Sequence, residues 1–255
     1  LHLIADPWFY AAAIPGVLVA GIAKGGVSGG GVGMLGTMAL VLVVPPVQAA
    51  AIMLPILCLM DIIGTWTFRR TWDRRSFWHL TPGALVGIAL GAVTFGLLDE
   101  AWIRLMVGTL SVVFIADQAL GLKGRLMNDR PGPVAGAVLG GLSGYTSFVI
   151  HSGAPPAAMY LLPQRMEKAT LVGTTMIFFL VVNYAKLPPY AILGLLSTDN
   201  VATSLALTPL APLGIWLGAR LNRVISPAWF YRVSYAFLLV TGLKLVVDGL
   251  KPLLG

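Results

Sequence analysis

Lys24-Gly25-Gly26-Val27-Ser28-Gly29-Gly30-Gly31 interrupts an apolar run that begins near Trp8 and resumes as far as Val44. Glycine loses more backbone freedom in a helix than other residues, so the cluster predicts a break between two short helices. The helix that restarts after such a break points free N–H groups, and about half a positive charge, at the tip. That is an anion site in its own right. Lys24 adds a full positive charge. Ser28 is placed to cap the helix or to donate to a ligand. Gly29, Gly30 and Gly31 let backbone amides approach closely. The chemistry expected here is capture of a small oxyanion.

The pattern returns in the second half, between Gly136 and Pro163. Gly25-Gly26-Val27-Ser28-Gly29 is echoed by Gly140-Gly141-Leu142-Ser143-Gly144, and His151, Ser152 and Gly153 follow. Here the break is expected over 143–152, between short helices at about 134–142 and 154–162. Pro155 and Pro156 suit a helix start. Paired, glycine-broken segments at matching places in two halves are the best sequence pointer to a transporter's binding site. The candidate set is Lys24, Gly25, Gly26, Ser28, Gly29 and Gly30 from one tip, and Gly141, Ser143, Gly144, His151, Ser152 and Gly153 from the other. Thr174 and Thr175, on the helix that follows, are expected to face the site.

Each of these residues also has a plainer reading. Glycines in membrane helices serve close packing. Lys24 could snorkel toward the outer surface. His151 could be a satisfied core histidine, and the two threonines could bond their own backbone. Asp61 and Asp117 fall near cytoplasmic helix ends, where pairing with loop arginines is the stronger reading and proton carriage the weaker. Lys186 falls at the outer end of its span, where snorkelling is expected.

The elements that must position these residues are membrane-spanning helices. Of 255 residues, 57% are hydrophobic and only 11% charged, too few charges for a soluble domain. Many runs approach the roughly 20 apolar residues that a span needs. The net charge of +7 gathers in short loops, so it reads as a topology signal and not as a nucleic-acid footprint. The single cysteine, Cys58, excludes an internal disulfide and a cysteine metal motif. The chain opens at Leu1 without a basic leader, so the first helix is expected to insert by itself. A leader or a few further residues are expected to precede it.

After the first broken pair, spans are expected from Pro45-Pro46 to about 68, at 80–98 and at 102–120. The second broken pair is followed by spans at 170–185, 201–219 and 229–247, with a proline-containing loop at 187–200. Trp8, Tyr10, Trp66, Trp78, Trp102 and Trp229 read as interface anchors. The halves repeat. Residues 80–92 and 207–219 agree at nine of thirteen positions at a fixed offset of 127, and Ala101-Trp102 meets Ala228-Trp229 at the same offset. Gly87-x-x-x-Gly91 and Gly214-x-x-x-Gly218 would let helices approach closely.

Basic loops at 69–75, 123–130, 165–168 and 220–223 are expected on the cytoplasmic side, with both termini outside. Threading the chain through those loops makes each half a hairpin plus three crossings, inverted relative to the other half. The fold class expected is therefore an all-α polytopic membrane protein of two inverted-topology repeats. Residues 1–122 form the first, 123–132 a cytoplasmic linker and 133–255 the second.

The two Gly-Gly-x-Ser-Gly breaks resemble the TauE/SafE sulfite-exporter family. So do the helix starts at Gln48-Ala49 and Lys168-Ala169, and the Leu-Thr-Pro…Gly-Ile-x-Leu-Gly-Ala segment. The resemblance covers nearly the whole chain. It implies a multi-pass protein of the bacterial cytoplasmic (inner) membrane that exports sulfite or a small organosulfonate. It implies a small anion and membrane lipid as partners, no nucleic acid, no cofactor and no metal, and leaves monomer or homodimer open. No nucleotide-binding loop is present, so a secondary transporter is expected. A passive anion channel, or a carrier of a small organic anion without sulfur, is the alternative. An embedded enzyme finds no support in residue spacing: His2, His79 and His151 are far apart.

Overall fold

The computed structural model of the chain describes residues 3–25, 35–120, 131–221 and 227–254. Among them every regular element is a helix. Six segments are long and apolar enough to cross a membrane: Pro7–Lys24, Pro46–Trp66, Arg74–Leu97, Pro133–Ile150, Ala169–Ile192 and Thr198–Leu221.

In the first half, α1 (Pro7–Lys24) starts where the Asp6 carboxylate accepts from the Trp8 amide at 2.9 Å. The short α2 (Leu35–Val41) leads to α3 (Pro46–Phe68). The next helix, α4 (Arg74–Thr94), begins about six residues earlier than its apolar run suggests. The cause is a cap: the Asp73 carboxylate accepts from the Ser76 amide at 2.7 Å, satisfying a first-turn donor. The half closes with α5 (Glu100–Leu120).

The second half holds three departures from expectation. The first concerns α6 (Pro133–Ile150), which runs unbroken through Ser143 and Gly144. The break falls instead at 151–153, where His151 takes a left-handed φ of 55°. The glycines of Gly140-Gly141-Leu142-Ser143-Gly144 do not break the helix, because the helix is stacked on α4. A Cβ at Gly140 or Gly144 would overlap the carbonyls of Leu80 and Ala84. Helix contact offsets the roughly 1 kcal/mol that each glycine costs. The short α7 (Ala154–Leu161) completes the hairpin.

The second departure is α8 (Lys168–Ile192), which carries Pro188 and Pro189 inside it, so the expected loop at 187–200 begins only after Ile192. The third is the expected span at 201–219, which is two helices, α9 (Thr198–Leu207) and α10 (Leu210–Leu221). The same Leu-Thr-Pro triplet lies inside an unbroken α4. The second copy has Pro212 as well as Pro209, and proline removes a helix hydrogen bond each time. A long final helix, α11 (Pro227–Leu254), follows.

Helices of one half pack on helices of the other: α4 along α6, α5 along α11, α1 along α10 and α3 along α8. Small residues make the contacts. Cβ atoms added at Gly83 and Gly87 would overlap the carbonyls of Ala137 and Gly141, and one at Gly218 that of Ile22. At Gly21 an added Cβ would stand 2.8 Å from the Gly214 Cα. The outward surface is apolar: α4 exposes Val86, Leu90 and Val93 along one stripe, continued by Leu97 in the turn that follows, and buries Leu80, Ala84, Gly87 and Gly91. Trp8, Trp66, Trp78 and Trp102 are exposed as interface anchors should be, and the Arg69 guanidinium sits over the Trp66 ring at 4.2 Å.

Candidate functional site

Polar groups are concentrated inside the bundle, where α3 and α8 meet the ends of α1 and α6. The face of α8 carrying Asn183, Lys186 and Tyr190 supplies three of them, at the i, i+3, i+7 spacing that aligns side chains on one side of a helix. All three are buried.

Asn183 donates to one carboxylate oxygen of Asp61 on α3, and Lys24 at the end of α1 forms an ion pair with the other. Asp61 is fully buried. The expected pairing of Asp61 with loop arginines is therefore corrected: Asp61 lies in the interior, and it ties α1, α3 and α8 together. Lys24 does not snorkel free; its ammonium is held by this carboxylate.

One turn further along α8, Lys186 is fully buried too, which corrects the expectation that it snorkels at an outer end. Continuation of α8 through the two prolines carries it inside. Its ammonium reaches the Ser147 carbonyl at 3.1 Å, the Ser147 hydroxyl at 3.0 Å and Nδ1 of His151 at 2.7 Å. An ammonium has only donors, so Nδ1 presents its lone pair. The proton is then on Nε2, which donates to the Ala50 carbonyl on α3 at 2.8 Å. His151 thus links α3 to α8 from the α6–α7 turn. Another turn on, the Tyr190 hydroxyl donates to the Phe148 carbonyl at 2.6 Å. Ser147 and Phe148 belong to the last turn of α6, and the Ser147 carbonyl also accepts from the His151 amide at 3.0 Å.

The α6–α7 turn is held shut by its own hydroxyls. Ser143 donates to the Gly153 carbonyl at 2.6 Å, and Thr146 to the Ser152 carbonyl at 3.0 Å. Ser152 is buried at the turn. A Cβ at Gly153 would stand 2.6 Å from the Ser143 carbonyl oxygen. The start of α7 offers few amides, because Pro155 and Pro156 have none and the Ser152 amide is bonded to the Thr146 carbonyl at 3.2 Å. Those of Gly153 and Ala154 are the nearest to the tip.

The remaining candidates fall in three groups. Gly25 ends α1 and abuts the Ile215 carbonyl of α10, while Gly141 and Gly144 face α4. Gly26, Ser28, Gly29 and Gly30 lie outside the described residues. Thr174 and Thr175 are not with the buried centre. Thr174 donates to the Thr170 carbonyl at 2.6 Å and accepts from the Asp73 amide at 2.8 Å. Nine residues separate it from Asn183, about 13 Å along the helix. Thr175 bonds the Leu171 carbonyl at 2.8 Å and faces α7. The structure therefore brings His151, Ser152, Ser143 and Gly153 to one turn and adds Lys186, Asn183, Ser147 and Asp61. The i, i+3 pair of Asn183 and Lys186 in an apolar run was the available signal for the added group. Among the described residues no group of three His, Cys, Asp or Glu could hold a metal ion.

No curated protein and no solved structure matches the chain. The family model described as "Sulfite exporter TauE/SafE" matches residues 13–245, which takes in α3, α6, α8 and the end of α1 that carries Lys24. The chain belongs to the TauE/SafE family of membrane transporters.

Proposed function

We propose that the protein is a secondary transporter that exports a small sulfur-containing oxyanion, sulfite or an organosulfonate, across the bacterial cytoplasmic membrane. The anion is held at mid-membrane between Lys24 at the end of α1 and the α6–α7 turn. The observation that carries this reading is the buried polar centre itself. Ionisable groups inside a membrane bundle are expensive and mark substrate pathways, and here they gather beside a helix break, as in transporters built from discontinuous helices. The cross-half packing of α1 on α10 and α4 on α6 is what a pseudo-two-fold axis in the membrane plane would produce, so two inverted repeats rocking about this centre supply the transport cycle.

Flux into liposomes by the purified protein tests the reading, with sulfite, thiosulfate, sulfate, methanesulfonate and acetate compared. Saturable flux of sulfite or methanesulfonate, with trans-stimulated exchange, is expected. Flux that neither saturates nor exchanges would make the protein a passive channel. Flux of acetate alone would remove sulfur from the substrate.

A further inference from the structure

We propose that Lys186 is the charge-bearing residue of the anion site, that Ser147 and His151 hold its ammonium at the α6–α7 turn, and that the site takes one negative charge. The proposal rests on the anion-transport reading above and assigns that site its cation.

The two lysines differ: Lys186 is fully buried and Lys24 only partly so. Lys24 has a carboxylate, Asp61. Lys186 meets a carbonyl, a hydroxyl and an imidazole lone pair, and among the described residues no carboxylate forms an ion pair with it. The C-terminal end of α6 supplies partial negative charge to Lys186. Among the described residues no carboxylate is in contact with it, and the nearest full negative charge among them, Asp61, is already paired with Lys24. A fully buried cation held only by neutral groups is costly, and in a membrane interior such a residue marks a functional site. The amides of α7 are a weaker attraction, since two of its first three residues are prolines. The charge that holds an anion there must come mainly from a side chain.

The charge count sets the ligand class. Lys24, Asp61 and Lys186 together carry two positive charges and one negative. One monoanion brings the centre to neutrality, while a dianion leaves an uncompensated charge in a medium where that is expensive. An arriving oxyanion replaces one of the neutral acceptors around the ammonium, which turns an ion–dipole contact into an ion pair. Ser147 and His151 retain the remaining donors in direction.

The experiment measures the thermal stabilisation that anions give to the purified protein in detergent, since a ligand that binds only the folded state raises the midpoint. Methanesulfonate, sulfite, sulfate and acetate are titrated against wild type, Lys186→Met and Lys186→Gln. Methanesulfonate is expected to stabilise wild type more strongly than sulfate. Both neutral variants are expected to lose about 100-fold in apparent affinity, about 2.7 kcal/mol by RT ln of the ratio. Without ligand, Lys186→Met is expected to melt at or above wild type, because it removes a buried charge. A purely structural lysine would move that midpoint down.

Wild-type affinity in either folded variant would overturn the proposal. So would failure of both variants to fold, because the charge would then be a structural requirement. Equal stabilisation by sulfate would overturn the single-charge assignment. If acetate stabilises wild type and no sulfur anion does, the sulfur reading fails and Lys186 is judged on acetate. Stabilisation by none of the four would overturn both.

Discussion

Lys24 and Lys186 reach one buried centre from opposite halves of the chain, and Asp61 pairs with only one of them. The Asp61 carboxylate has a partner on each oxygen, Lys24 from α1 and Asn183 from α8. A single side chain of α3 therefore fastens α1 to the helix that carries Lys186. This arrangement makes the Lys24–Asp61 pair a structural joint.

Removing one partner of that joint leaves a buried charge alone. Asp61→Leu is expected to destabilise the protein by about 3–5 kcal/mol, the cost of breaking a buried pair from one side. Lys24→Met with Asp61→Leu is expected to recover most of that loss, because apolar replacement of both partners is often neutral. Denaturation of the two single variants and the double variant in a mutant cycle measures it. Additive losses would mean the pair is not coupled.

The glycines of α4 and α6 carry a different prediction. Gly83, Gly87, Gly140 and Gly144 stand where a Cβ would overlap backbone of the facing helix. Backbone cannot move aside as a long side chain can, so Gly144→Leu should separate α4 from α6. The turn that holds His151 would be displaced with it. Loss of monodisperse protein on size exclusion, or a midpoint lowered by several degrees, is expected. Gly141→Ala is the control: its Cβ would meet only the Gly83 carbonyl at 3.6 Å, ordinary contact, and little change is expected.

Much of this architecture was legible in the residues. The apolar runs located the spans because nothing else makes a helix of that length affordable in lipid. The Gly-x-x-x-Gly spacings foretold close contacts, though not their partners. The second break was misplaced because glycine propensity in isolation favours breaking a helix, while stacking on α4 reverses the balance. The proline rule misjudged Lys186: Pro188 and Pro189 suggested a loop, and the helix continued through them. Asp61 was misread because its partners lie 37 and 122 residues away, beyond the reach of local pattern.

Topology gives a prediction independent of the site. Trp72 lies in the basic loop between α3 and α4, and the Ser76 hydroxyl donates to Gln164 at 3.1 Å, so that loop and the one carrying Arg165 share an end of the bundle. The positive-inside rule assigns this end to the cytoplasm. In a Cys58→Ala background, Trp72→Cys should label with a membrane-impermeant thiol reagent only after the cells are permeabilised. Labelling of intact cells would invert the assignment.

Transport by Lys24 variants separates its two roles. Lys24→Ala leaves the Asp61 carboxylate buried without its cation, beside a site proposed to admit an anion. At about 5 Å and an effective dielectric of about 20, two like charges repel by about 3 kcal/mol. Sulfite flux by Lys24→Ala in liposomes should therefore fall by about 100-fold, for a reason that need not involve contact with the anion. Adding Asp61→Asn removes the repulsion and keeps the hydrogen bond with Asn183 possible. If Lys24 also contacts the anion, the double variant should stay about tenfold or more below wild type, the loss expected for an ionic hydrogen bond of about 1.5–3 kcal/mol. Full recovery of flux in the double variant would confine Lys24 to neutralising Asp61. Lys186 would then be the only one of the two lysines in contact with the anion.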